Sequence, residues 1–251
     1  MELIIALIVS FLAGLVDAVA GGGGLIQLPA LLVLFPNIPP AVVLSSNKIP
    51  SFSGTVAAAW TFSRRMKLNY TLVAVCSSVA LLSSGLGAHL VSLVPAVYFR
   101  PLVAGLLMFS VAVVVFGKFE GQKTELREFS LLVAAGIGAA AGFYDGFFGP
   151  GTGTIIIALL ASKMGLEFLS ATAHAKLINL ATNGGAIIYF IVSGNVDYGL
   201  ALPLAAANLL GGLCGSKLAL KRGNGFVRKM VLAVALMVAA KLVLELAGVS
   251  V

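Results

Sequence analysis

Asp17-Ala-Val-Ala-Gly-Gly-Gly-Gly-Leu-Ile-Gln-Leu-Pro29 sets a carboxylate and four consecutive glycines inside an otherwise apolar run. Each glycine costs a helix roughly 1 kcal/mol relative to alanine, so the helix running through 9–19 must break over Gly21 to Gly24. In hydrocarbon, backbone N–H groups freed by such a break are tolerated only where protein buries them or a polar cavity receives them. The stretch therefore predicts a cavity and an occupant. The same device returns 128 residues later as Asp145-Gly-Phe-Phe-Gly-Pro-Gly-Thr-Gly-Thr154, which points to two copies of one substructure facing one site.

Composition places both copies in a membrane. The 251 residues are 60% hydrophobic and only 10% charged, with a mean hydropathy of +1.09. Soluble domains carry about 25% charged residues. At about 20 apolar residues per spanning helix, the chain has room for roughly eight to ten helical segments in a single membrane domain covering 1–251. The net charge of +7 lies in short loops between apolar runs, the pattern of cytoplasmic loops and not of a nucleic-acid surface. Cys76 and Cys214 sit in apolar runs with no CxxC and no clustered histidines, so neither a disulfide framework nor a thiolate metal site is expected, and nothing calls for a cofactor. The first 20 residues end in Ala18-Val-Ala20, which resembles a signal-peptidase site. With no base before the apolar run, and with the pattern repeated internally, the segment is expected to stay in the fold.

Five helices are expected in the first half (3–19, 25–35, 41–62, 68–93 and 98–116) and five in the second (129–148, 154–161, 170–192, 198–220 and 226–247). A polar linker at 118–128 separates repeat 1 (1–117) from repeat 2 (129–251). An ungapped shift of 128 matches 17 of the 78 positions from 13 to 90, among them Asp17 with Asp145 and Lys48 with Lys176. Loop charge then orients the halves. Arg64, Arg65 and Lys67 put one loop on the cytoplasmic side, whereas its counterpart 193–197 has no base. Conversely 91–97 has none, while its counterpart holds Lys221, Arg222, Arg228 and Lys229. With Lys118, Lys123, Arg127 and Lys163 inside as well, 129–161 becomes a re-entrant hairpin whose return limb of about eight residues is too short to span. Each half then has three crossings plus one hairpin. The expected architecture is an all-α polytopic membrane protein of two inverted-topology repeats, with both termini extracytoplasmic, as in secondary transporters.

Charged residues inside hydrocarbon mark function by default. Lys48 and Lys176 are expected to contact substrate, helped by the positive N-terminal ends of the half-helices at Gly22, Gly23, Gly24 and at Gly151, Thr152, Gly153, Thr154. Two lysines and two such ends favour an anion. Asn47, Ser51, Gly54, Asn179 and Asn183 add donors on segments where helix-weakening residues suggest a second irregularity. Asp17 and Asp145 are coupling or structural residues. The structural alternative pairs Asp17 with Lys48, and Asp145 with Lys176, and lets each aspartate cap the half-helix that follows it. His174 has the chemistry to carry a proton, against a packing role. Lys241 and Glu245, spaced i, i+4, are expected to pair. Gly149-Pro-Gly-Thr-Gly153 lacks the Gly-Lys-Ser/Thr ending and the preceding strand of a phosphate loop.

Gly14-Leu-Val-Asp17-Ala-Val-Ala-Gly-Gly-Gly-Gly24-Leu-Ile-Gln-Leu-Pro29, Ser46-Asn47-Lys48, Gly142-Phe-Tyr-Asp145-Gly-Phe-Phe-Gly-Pro-Gly-Thr-Gly153 and Ala173-His-Ala-Lys176 together resemble the two signatures of the sulfite exporter TauE/SafE family. The resemblance spans nearly the whole chain. It implies secondary transport of small sulfur-containing or organic anions, such as sulfite, sulfoacetate or sulfonates, across the bacterial inner membrane. It leaves substrate, direction, proton coupling and a homodimeric state open. The alternatives are a proton-coupled carrier of a cation or neutral solute with the aspartates as ligands, and a membrane scaffold. An enzyme is disfavoured, because no nucleophile stands beside a histidine in a recognisable arrangement.

Overall fold

The computed structural model describes residues 1–95, 97–98, 101–102, 105–106 and 130–246, excepting the side chains of 232 and 234–246. Eight helices run through the described residues: α1 Glu2–Ala20, α2 Gly23–Leu34, α3 Pro40–Ser63, α4 Tyr70–Ser92, α5 Leu131–Phe147, α6 Thr152–Met164, α7 Phe168–Val192 and α8 Tyr198–Leu246. Of the expected helix at 98–116 only 98, 101–102 and 105–106 are described, and the linker and the Lys241–Glu245 pair lie outside what is described. Local chemistry sets the ends. Gly21 closes α1 in the left-handed region at φ 77°, its N–H bonded to the Asp17 carbonyl at 2.8 Å. The Asn69 side chain caps α4 by accepting from the Leu72 N–H at 3.0 Å, and Gly165 at φ 71° stops α6. Gly223, at φ 73° and ψ −169°, interrupts α8 between the two expected helices.

α1, α4, α7 and the 198–231 part of α8 are each long and apolar enough to cross a bilayer. Large apolar side chains such as Leu82, Leu132 and Val192 stand exposed on the outer faces, where lipid would cover them. The half-helices α2 and α6 have 12 and 13 residues. That makes the second limb longer than the eight residues expected, because α6 begins at Thr152 and runs on to Gly165. At 1.5 Å per residue both remain well short of the roughly 30 Å hydrocarbon core.

The halves interlock rather than sit side by side. α1 of the first half packs most extensively on α8 of the second, and α5 of the second on α4 of the first. A side chain on Gly14 would overlap the Asn208 backbone, and one on Gly142 the Ala80 backbone. Likewise Gly87 lies against Phe143 and Gly215 against Leu15. The Gly14–Asn208 and Gly142–Ala80 contacts are counterparts under the 128-residue shift, as are Gly87–Phe143 and Gly215–Leu15. Small residues serve here because helix association in lipid rests on close packing and not on expelling water.

The second irregularity expected near Asn47 and Asn179 is absent. α3 continues through Pro50 and α7 through Gly184 and Gly185. Neighbouring helices compensate for the lost helix stability: Ser53 Oγ donates to the Ala205 carbonyl of α8 at 2.7 Å, and Gly185 lets the Leu81 backbone of α4 approach closely.

Candidate functional site

The two glycine breaks meet. A side chain on Gly21 would overlap the backbone of Gly153 and Thr154, and the Thr154 N–H donates to the Gly21 carbonyl at 3.2 Å. Thr154 Oγ1 adds a bond to the Ala20 carbonyl at 2.8 Å. The start of α6 is thereby clamped on the end of α1, across the halves. Both half-helices begin two residues earlier than the sequence suggests, with Gly22 and Gly151 as N-caps. Thr152 Oγ1 turns back to the Gly149 carbonyl at 2.7 Å.

The intramembrane charges pair between halves, not within them. Lys48 Nζ of α3 lies 3.2 Å from Asp145 Oδ1 of α5 and also donates to the Asp145 carbonyl. Lys176 Nζ of α7 lies 2.7 Å from Asp17 Oδ2 of α1. The structural alternative of Asp17–Lys48 and Asp145–Lys176 pairs is thereby corrected: the charges do pair, but with the opposite partners. The cause is topological: because the breaks cross, the aspartate before each break faces the lysine-bearing helix of the other half. Gly149, at φ 101°, lies in the left-handed region that favours glycine, and its missing side chain leaves room for Lys48 Nζ. Asp17 Oδ1 also accepts from the Gly23 N–H at 3.4 Å, so this aspartate caps α2 while it holds Lys176.

A cavity of about 20 Å³ lies between the pairs, lined by Asp17, Gly24, Leu44, Asn47, Lys48, Ser51, Asp145, Phe148, Gly149, Pro150, Gly153 and Asn179. It draws on both halves and has room for a water-sized group. Gly24 and Gly153 lie in the first turns of α2 and α6, where backbone N–H groups lack an intrahelical acceptor. Of the sequence-derived candidates, Lys48, Asn47, Asn179, Gly24, Gly153 and both aspartates meet here. Lys176 is fully buried behind Asp17 and does not line the cavity. Asn183 stands one turn from Asn179 and donates to its carbonyl at 2.9 Å. His174 is remote from the cavity: Nδ1 meets the Ser170 carbonyl at 2.7 Å, and Nε2 accepts from the Asn69 N–H at 2.9 Å, tying the α3–α4 loop to α7.

A neighbouring cavity shares Asp17, Gly24, Asn47 and Ser51 and is closed by Gln27 and Asn208. Asn208 Nδ2 donates to Gln27 Oε1 at 2.8 Å, and Gln27 Nε2 to Ser10 Oγ at 3.0 Å. Sequence reasoning missed this network. Its signal was an amide in each of two apolar runs, Gln27 and Asn208, whereas Asn47 and Asn179 were singled out by their nearness to Lys48 and Lys176. Among the described residues, no three of His, Cys, Asp or Glu lie close enough to hold a metal.

Residues 6–242 match the family model described as sulfite exporter TauE/SafE. The chain is 32% identical to a "Probable membrane transporter protein" of Haemophilus influenzae, covering 94% of this chain and 92% of that one. It is also 32% identical to YfcA of Escherichia coli, covering 96% and 89%, and 28% identical to YdhB of Bacillus subtilis, covering 84% and 88%. Both bear the same description. No solved structure is significantly similar to the chain. A membrane fold with two crossing glycine breaks, joined to this match over almost its full length, makes the chain a member of the TauE/SafE sulfite exporter family.

Proposed function

We propose that the protein is a secondary carrier of small sulfur-containing or organic anions, sulfite- or sulfonate-like, working by alternating access across the bacterial inner membrane. One observation carries this reading: a single cavity, built by both halves, where Lys48 and the first turns of two half-helices converge. The ammonium and the positive N-terminal ends of the two half-helices attract negative charge, and the surrounding protein excludes water that would screen it.

The cavity is too small for a sulfonate group as it stands. Binding must part the glycine breaks, and the Thr154–Gly21 and Thr154–Ala20 bonds are the ones such parting breaks. The loop charges support inverted repeats with both termini outside, so that rocking one half on the other exposes the site to alternate sides. The four intramembrane charges, Asp17, Lys48, Asp145 and Lys176, sum to zero. The empty carrier therefore crosses neutral and the loaded one carries the substrate's charge, so an inside-negative potential of 100 mV favours exit by about 2.3 kcal/mol per charge.

The test is flux of sulfite and short sulfonates in proteoliposomes. The Lys48→Met/Asp145→Asn variant keeps the cavity neutral while removing the ammonium, and is expected to abolish transport. Undiminished flux in that folded variant would overturn the proposal.

A further inference from the structure

The two aspartates are equivalent in the repeat and unequal in the structure. Asp17 has both carboxylate oxygens engaged, Oδ2 by Lys176 at 2.7 Å and Oδ1 by the Gly23 N–H at 3.4 Å. Asp145 engages only Oδ1, and its Oδ2 is buried without a hydrogen-bond partner. Asn47 Oδ1 is the second orphaned acceptor among the residues lining the same cavity. Both residues are more than nine-tenths buried, Asp145 at 2% exposure and Asn47 at 6%. The remaining unpartnered buried side-chain atoms, on Thr55, Ser77 and Asn183, belong to residues lining neither cavity.

A buried carboxylate oxygen without a donor is costly, and native proteins leave few such atoms unexplained. A metal cation is a poor answer, because Lys48 Nζ already stands 3.2 Å from the other oxygen of the same carboxylate. A bare dianion is poorer still, since it would face Asp145 at close range. What fits a cavity lined by an ammonium and by two residues with free acceptors is a ligand with both kinds of group.

We infer that the cavity, once the glycine breaks part, takes a monoanion carrying its own hydrogen-bond donor, a hydroxyl or ammonium within a few atoms of the anionic group, with the donor on Asp145 Oδ2 and Asn47 Oδ1 and the anionic oxygens on Lys48. Asp17 and Lys176 hold the architecture and Asp145 reads the substrate. The counterpart of Asn47 under the repeat is Ala175, so the second half offers no equivalent donor subsite. This inference rests on the anion-carrier reading and narrows its substrate class.

The experiment compares ethanesulfonate with its 2-hydroxy and 2-amino derivatives by calorimetric titration of the purified full chain, with sulfite as a fourth ligand. Hydrogen bonds to a charged acceptor predict that the hydroxy and amino compounds bind roughly ten- to a hundredfold tighter than the alkyl compound. Asn47→Leu is expected to reduce that ratio severalfold. Equal affinities of the three sulfonates in the unaltered protein would mean that solvent satisfies the two acceptors; the inference falls and the anion carrier stands. Absence of binding by all four ligands would overturn the carrier reading and the inference with it. The ligand series needs no variant, so a misfolded Asn47→Leu protein leaves the test intact.

Discussion

The crossed pairing of the intramembrane charges makes a quantitative prediction about which residues are energetically coupled. Lys176→Met keeps the length of the side chain and removes its charge, leaving the Asp17 carboxylate, 14% exposed, with only the 3.4 Å bond from Gly23. Breaking a buried ion pair by removing one partner costs roughly 3–5 kcal/mol, a large part of the 5–15 kcal/mol that typically holds a domain together. Neutralising Asp17 as well, in Asp17→Asn/Lys176→Met, removes the stranded charge and returns most of that loss. The coupling energy should therefore be about 2 kcal/mol or more for Asp17 with Lys176, and similar for Asp145 with Lys48. For Asp17 with Lys48, and Asp145 with Lys176, it should stay nearer 0.5 kcal/mol. The assay is equilibrium unfolding of the single and double variants in mixed detergent micelles. A larger coupling within halves than between them would refute the crossed arrangement and the shared cavity built on it.

Four further perturbations follow from the same geometry. Gly21→Ala forces a side chain onto the Gly153 and Thr154 backbone at φ 77°, so a loss of more than about 2 kcal/mol is expected in unfolding titrations. Gly136→Ala is the contrast, with no atom near its new methyl group, and should hold or raise stability by about 0.5–1 kcal/mol. His174→Leu strands the Asn69 N–H and should cost about 1–3 kcal/mol while leaving the shape of the flux-versus-pH curve unaltered; a changed curve would put His174 in the transport cycle. Asn208→Leu removes the donor to Gln27 Oε1 and should lower the melting temperature, with re-pairing of Gln27 as the result that would show the network to be dispensable.

Much of the fold was legible in the chain because its cues are local. Gly21, Gly165 and Gly223 mark helix ends or breaks by backbone conformation alone. The prolines at 36, 39 and 40 separate elements through the hydrogen bonding they lack, whereas Asn69, read as inside the helix at 68–93, caps it from just outside. Local cues misled where a neighbouring helix does the compensating. Pro50 and Gly54 weaken α3 by propensity, yet α3 stays continuous because Ser53 and the approach of α8 stabilise it. The lysines and aspartates were found for the opposite reason. An uncompensated charge in an apolar run is anomalous wherever it points, so its importance shows before its partner is known.

What the sequence by itself determined is therefore a membrane protein of broken helices in two related halves, with four charges that must be answered inside the bilayer. Those are properties of composition, backbone preference and internal repetition. The tertiary structure alone decided which charge answers which, that Lys176 stands behind Asp17 while Lys48 reaches the cavity, and that Asp145 keeps one carboxylate oxygen unengaged. The physical reason is distance along the chain. The Asp17–Lys176 contact joins residues 159 apart and the Lys48–Asp145 carbonyl contact residues 97 apart, so the partners are set by how two glycine breaks cross, a relation that no local pattern records.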